Sequence, residues 1–202
     1  MNQSVAEHAL MASYARLARA AYDNAKYSGD YEGQGYVIDQ EFSDKNRTTY
    51  YHPHSKKAVV SFRGTKLNNI FDLATDVAIA KGSENNTGRF IDSLRLTKSV
   101  VKKYGKDNVT LTGHSLGGTQ AIKIGQKTGL QSYAYNPGVG PKTGVLQGLK
   151  KLLTGKKSNN VQIFHTGTKD FISALAPLMD GNVRRVAPKF RNNAHGIDNF
   201  IF

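Results

Sequence analysis

The stretch Leu111-Thr112-Gly113-His114-Ser115-Leu116-Gly117-Gly118 constrains this chain more than any other. A short apolar run with Val109 and Leu111 precedes it, and Thr119-Gln120-Ala121-Ile122-Lys123-Ile124 follows with the spacing of a helix. Between a strand and a helix, G-x-S-x-G marks a tight turn that lifts a serine hydroxyl clear of a sheet. Gly113 and Gly117 remove the Cβ atoms that would keep strand and helix from closing around that turn. The helix start also aims unpaired backbone N–H groups, notably that of Leu116, at the place where an oxyanion would form. A glycine-rich turn that merely contains a serine would explain the motif taken alone. The rest of the chain decides.

At 202 residues the chain has the size of one domain, 1–202, rather than two. The hydrophobic content of 39% suffices for a core, and no apolar run approaches the length of a membrane span. Residues 1–8 lack the basic start and apolar centre of a secretory signal. Cysteine is absent, which removes disulfides and thiolate metal sites and fits a reducing compartment. The expectation is a cytoplasmic protein, with association with a virion or a membrane left open. Lys plus Arg is 28 against 15 Asp plus Glu, a net charge of +13. Such an excess favours anionic partners such as phospholipid head groups or nucleic acid, although a solvated basic surface explains the same number.

Taken in order, residues 4–22 read as one helix, its alanines suited to close packing on a sheet. Residues 35–42 and 47–51 read as strands, the second ended by His52-Pro53-His54. Those two histidines lack further ligands nearby and read as turn residues, not a zinc pair. Ala58-Val59-Val60-Ser61-Phe62 is a strand buried on both faces that runs into Arg63-Gly64-Thr65. That rim is where α/β folds place a second oxyanion donor, and Thr65 offers both an N–H and a hydroxyl. Asp72 and Asp76 share a helix face but lack the oxygen-ligand spacing of a cation site. No cofactor or metal is expected.

Residues 81–88 read as a loop and 89–104 as a helix closed by Gly105. After the serine turn and its helix come a strand over 130–135 and the break Asn136-Pro137-Gly138. Residues 142–157 combine Val145, Leu146, Leu149, Leu152 and Leu153 with Lys150, Lys151, Lys156 and Lys157. That pattern suits either a helix lying on an anionic bilayer or a surface helix packed on the body. Residues 161–165 form a last core strand, followed by Asp170, and an edge strand over 183–189 leads to His195.

Strands alternating with helices predict an α/β architecture, a mostly parallel sheet flanked by helices, with an antiparallel hairpin near the N-terminus. Thr65, Ser115 and Asp170 each follow a predicted strand and so fall on the sheet's carboxyl rim, where ligands bind. The order Ser115, Asp170, His195 is that of the α/β-hydrolases. His165 and Asp180 are rivals for base and acid; the first reads as a core-strand residue and the second, in Met179-Asp180-Gly181, as a turn.

With these residues in place the chain resembles the class 3 lipases, the α/β-hydrolase family of the fungal triacylglycerol lipases, and most closely their compact bacterial or viral members. The matching stretches are Val59-Val60-Ser61-Phe62-Arg63-Gly64-Thr65, Gly113-His114-Ser115-Leu116-Gly117-Gly118, Tyr135-Asn136-Pro137-Gly138-Val139-Gly140, and Asp170 and His195 after them. Leu17-Ala18-Arg19-Ala20-Ala21-Tyr22 and Gly88-Arg89-Phe90 are similar to further family landmarks. The resemblance implies Ser115 as nucleophile, His195 as general base, Asp170 as its orienting acid, and Thr65 with the Leu116 N–H as oxyanion hole. It implies lipid ester hydrolysis of the lipase or phospholipase A1 kind. A small-ester esterase or acyltransferase would share every one of these residues. A non-catalytic basic module binding a membrane or nucleic acid is the reading of another class, although no nucleic-acid motif supports it. The chain departs from the family at Asn136, where many members carry glycine, and in the short, partly charged segment between Thr65 and Gly88 where a lid would lie.

Overall fold

The computed structural model describes residues 3–23, 34–64, 84–138, 158–167 and 176–201. Seven strands form one sheet in the order β1 to β7. They are β1 (Val37–Ile38), β2 (Arg47–His52), β3 (Lys57–Phe62), β4 (Val109–His114), β5 (Gln131–Tyr135), β6 (Val161–His165) and β7 (Asn182–Arg185). The first three pair antiparallel, and every pair from β3 to β7 is parallel. The expected α/β sheet with an N-terminal antiparallel hairpin is therefore observed.

Helices α1 (Gln3–Ala20), α2 (Glu84–Tyr104) and α3 (Leu116–Thr128) accompany it. Period-2 alternation assigns each strand residue to a face. Ala58, Val60, Phe62 and Leu111 turn toward α2 and α3, where Val100, Ala121 and Ile124 meet them. Val59 faces the other way, onto Leu17 and Ala20 of α1. Full burial of side chains such as Phe62 and Leu111 contributes about 1.5–3 kcal/mol each.

The alanines of α1 allow the close packing that the sequence suggests. Ala15 and Ala18 are completely buried. At that separation three sheet hydroxyls donate to carbonyls spaced three apart along the helix: Tyr135 to Met11 at 2.6 Å, Thr112 to Tyr14 at 3.2 Å and Ser61 to Leu17 at 3.1 Å. The buried hydroxyls are thereby satisfied, and the helix is fixed in register on β3, β4 and β5.

Three expected boundaries move. The strand expected over 35–42 shrinks to two residues, because Asp39 accepts the Glu41 N–H at 3.1 Å and turns the chain into a 3-10 helix, Gln40–Phe42. Helix α2 begins at Glu84, inside the expected loop, and β7 ends at Arg185, before Pro188. The Asp72–Asp76 pair and the basic segment 142–157, with Lys150, Lys151, Lys156 and Lys157, lie outside the described residues. No helix among the described residues is long and apolar enough to cross a membrane.

Asp39 also ties the N-terminal strands to α2. Lys103 Nζ lies 2.9 Å from both Asp39 Oδ2 and Glu41 Oε2, and the Tyr104 hydroxyl donates to Asp39 Oδ2. Burial pushes the Asp39 carboxyl up, but donation from Tyr104 and Lys103 outweighs it and holds the group below its ordinary value. Burial and the Asp39 carboxylate push the Tyr104 hydroxyl up to about 12. A carboxyl depressed by folding stabilises above its unfolded pKa and loses that contribution as pH falls. Asp39→Asn is therefore expected to cost about 1 kcal/mol near neutral pH, Lys103 being well exposed, with the deficit shrinking as pH drops below about 4. Urea unfolding of both chains between pH 7 and pH 2 checks this, and a deficit that grows with acid would contradict it.

Candidate active site

Ser115 sits between β4 and α3 with φ 57° and ψ −126°, a backbone conformation that L-residues rarely adopt. The glycines around it show why the chain accepts this. A Cβ on Gly117 would strike the carbonyl of Phe62 in β3, and one on Gly113 would strike the carbonyl of Gly117. Helix α3 therefore starts in direct contact with the ends of two strands, and the turn joining them has to be sharp.

Bonds to the Ser115 backbone hold the strain in place. Its N–H donates to Tyr135 O at 3.0 Å, and its carbonyl accepts from the N–H groups of Thr119 and Gly138, both at 3.1 Å. The residue is only 1% exposed, and its Oγ makes no hydrogen bond among the described residues. A buried hydroxyl left without a partner costs about 1–3 kcal/mol, so such a group points to a functional demand.

The end of β3 reaches the same place. A Cβ on Gly64 would lie 3.2 Å from Ser115 Cβ and 2.8 Å from His114 O. Arg89 of α2 donates through Nη2 to Arg63 O and fastens this strand end from the far side. Thr65, the next residue, and Asp170 lie outside the described residues. Leu116 is the first residue of α3.

His195 lies in a loop between two short 3-10 helices, Arg191–Asn193 and Ile197–Phe200, and is 7% exposed. Its ring centroid is 4.9 Å from that of His114, the residue before Ser115. The structure thus brings the expected base next to the expected nucleophile's neighbour. His165 instead closes β6, opposite Arg185 in the sheet register, and its carbonyl accepts the Val186 N–H at 2.8 Å. Asp180 accepts both the N–H and the hydroxyl of Ser158 at 2.8 Å, at the amino ends of β6 and β7 and so opposite the rim that carries Ser115.

Two residues to which the sequence alone assigns no role, His114 and Asn136, contact His195, and a third, Tyr22, contacts His114. His114 Nε2 lies 2.7 Å from His195 O, and the Tyr22 hydroxyl lies 3.0 Å from His114 Nδ1. A carbonyl only accepts, so Nε2 carries a proton and donates to His195 O; the Tyr22 hydroxyl lies 3.4 Å from His114 O as well, to which it donates. Burial holds the Tyr22 hydroxyl well above its ordinary pKa, so it keeps the proton it donates. Asn136 Nδ2 donates to the carbonyls of Ala194 and His195, each at 3.0 Å. The signal in the sequence was Asn136 itself, standing where a glycine was expected. A separate groove of about 310 Å³ between α1 and β7, lined by Glu7, Met11, Phe164 and Arg184 among others, includes none of these residues.

A likeness to known proteins accompanies this geometry. The model of an uncharacterised protein family, UPF0227, matches residues 66–164. A GDSL esterase/lipase of Arabidopsis thaliana, At4g10955, is 30% identical over 123 residues, which cover 57% of this chain and 33% of the plant protein. The match thus spans about a third of that relative's length. Among solved structures, the Lip2 lipase of Yarrowia lipolytica superposes with a TM-score of 0.57 at 20% identity, covering 93% of this chain and 80% of that one. Lipase II of Rhizopus niveus superposes with a TM-score of 0.53 at 17% identity, covering 84% and 76%. The chain has the α/β-hydrolase fold of the fungal lipases, as its resemblance to them implied.

The tightness of the serine turn can be measured with two glycines. Gly117→Ala is expected to destabilise the protein by about 2–3 kcal/mol or more, because backbone rather than a side chain blocks the new methyl. A Cβ added at Gly88 in α2 would meet nothing within 4 Å, so Gly88→Ala is expected to stabilise by up to about 1 kcal/mol. Equal urea midpoints for the two variants would refute the close approach at Gly117.

Proposed function

We propose that this protein hydrolyses carboxylic esters of lipids through a Ser115–His195–Asp170 triad and an acyl-enzyme. One observation carries the reading: a buried serine hydroxyl without a hydrogen-bond partner among the described residues, raised on a positive-φ turn between a strand and the N-terminus of a helix. The lipase and esterase/lipase names among the similar proteins support the substrate class.

In this mechanism Ser115 Oγ attacks the ester carbonyl carbon while His195 takes its proton. The carbonyl oxygen becomes an oxyanion, held by the N–H of Leu116 and by Thr65. Collapse of the tetrahedral species breaks the bond to the alcohol oxygen, which leaves with the proton from His195. Water then gives its proton to His195 and attacks the acyl carbon, and the second collapse returns that proton to Ser115 Oγ and frees the acid. Asp170 keeps the imidazole in the tautomer that accepts at the nitrogen facing Ser115. The positive charge of the chain favours approach to anionic lipid, and Lys150, Lys151, Lys156 and Lys157 are the groups we assign to that contact.

Hydrolysis of p-nitrophenyl esters of graded acyl length tests the reading. Ser115→Ala should lose about six orders of magnitude in turnover, and His195→Ala a similar factor. Preference for long chains fits lipid esters, whereas activity confined to acetate and butyrate makes the protein a small-ester esterase. A folded wild-type chain that turns over neither soluble esters nor lipid vesicles would leave a non-catalytic binding module. Reversing the four lysine charges should weaken binding to vesicles rich in anionic phospholipid, and unchanged binding would remove them from that role.

A further inference from the structure

We infer that Asn136 is a positioning residue for His195, acting with His114 on the backbone of the loop rather than on the ring. The inference rests on the reading of His195 as general base. A base of this kind has to be held within about 0.5 Å of its working place. Yet His195 belongs to neither a strand nor a long helix, so regular backbone hydrogen bonding does not fix it.

Side-chain donors do that instead. The Ala194 carbonyl accepts from Thr166 Oγ1 at 2.7 Å, Asn136 Nδ2 at 3.0 Å and Asn199 Nδ2 at 3.3 Å. The His195 carbonyl accepts from His114 Nε2 at 2.7 Å and Asn136 Nδ2 at 3.0 Å. Among the described residues Asn136 bridges both carbonyls, and it is completely buried. Its amide orientation follows from its neighbours: Oδ1 receives the Thr166 N–H at 2.9 Å, so a flipped amide would set donor against donor. Its φ of 39° lies in the left-handed region, which asparagine tolerates better than other residues with a side chain. A glycine here would keep the backbone and lose the clamp.

The clamp also measures from the right origin. Ser115 N–H donates to the carbonyl of Tyr135, the residue before Asn136, and His114 is the residue before Ser115. The two side chains that hold the His195 carbonyl are therefore each one residue away from a single hydrogen bond at Ser115. The separation of base and nucleophile is set across one peptide unit on each side.

Asn136→Ala, His114→Ala and His114→Gln test this in the full chain. With the clamp loosened, kcat on a p-nitrophenyl ester should fall about 10- to 100-fold with KM held within about twofold, since displacement near 1 Å costs about that much. His114→Gln keeps a donor at its terminal nitrogen and should recover most of what His114→Ala loses. The ring proton resonance of His195, one of six histidines, should move in Asn136→Ala while those of His52 and His54 stay. Unchanged kcat and an unchanged His195 resonance in a folded Asn136→Ala chain overturn the inference, even if its melting temperature falls. If Asn136→Ala does not fold, equal kcat in His114→Ala and His114→Gln overturns it. Wild-type turnover that survives Ser115→Ala defeats the proposed function instead, and the His195 resonance then still reports on the clamp.

Discussion

Helix α3 starts so close to the ends of β3 and β4 that no side chain fits between them, and the site around Ser115 depends on that contact. Gly117 lies under the Phe62 carbonyl, and Gly113 lies under Gly117. The connecting residue is forced to a positive φ, at a cost of about 1–3 kcal/mol for serine. Buried hydrogen bonds to Tyr135, Thr119 and Gly138 offset it. A strained turn persists only where its surroundings over-determine it, and here β5, α3 and the segment after β5 all contribute. The same contact puts Ser115 at the N-cap of α3, where its side chain makes no capping hydrogen bond.

The opposite face of the sheet has a second task beyond burying apolar surface. Helix α1 reads in the sequence as scaffold, and its alanines and the three hydroxyl bonds from Ser61, Thr112 and Tyr135 bear that out. But α1 runs on into the 3-10 helix Ala21–Asp23, which delivers Tyr22 to His114. Because the helix is locked in register by polar rungs as well as by packing, the Tyr22 hydroxyl arrives at a defined height. An all-apolar interface tolerates sliding more readily, since dispersion contacts are not directional while hydrogen bonds are.

What the sequence disclosed and what it hid follow from the range of the interactions. The serine turn was legible because its requirements lie within six residues. The core strands were legible as dense apolar runs, and they led to the expectation of Thr65, Ser115 and Asp170 at one rim, of which Ser115 lies among the described residues. The strand expected over 35–42 is cut to Val37–Ile38 because Asp39 ends it through its own side chain, a local hydrogen bond that alternation does not register. The role of Asn136 was hidden for the opposite reason: its partners lie 58 and 59 residues away, and no local pattern announces them. His114 occupied a variable position of the motif, so nothing marked it until the fold brought the His195 loop against it.

The resulting division of labour is physical. The groups that donate to the Ala194 and His195 carbonyls are amides, a hydroxyl and an imidazole, and the carbonyls that receive them are uncharged. Buried hydrogen bonds to uncharged carbonyls are insensitive to ionic strength, while attraction between a cationic surface and anionic lipid is screened within about 8–10 Å at ordinary salt. In the proposed function the net charge of +13 acts on encounter, and the buried seat acts on geometry after encounter. Salt that abolished the first would leave the second standing, so the two contributions are separable in one molecule. A seat built from ion pairs would have coupled them.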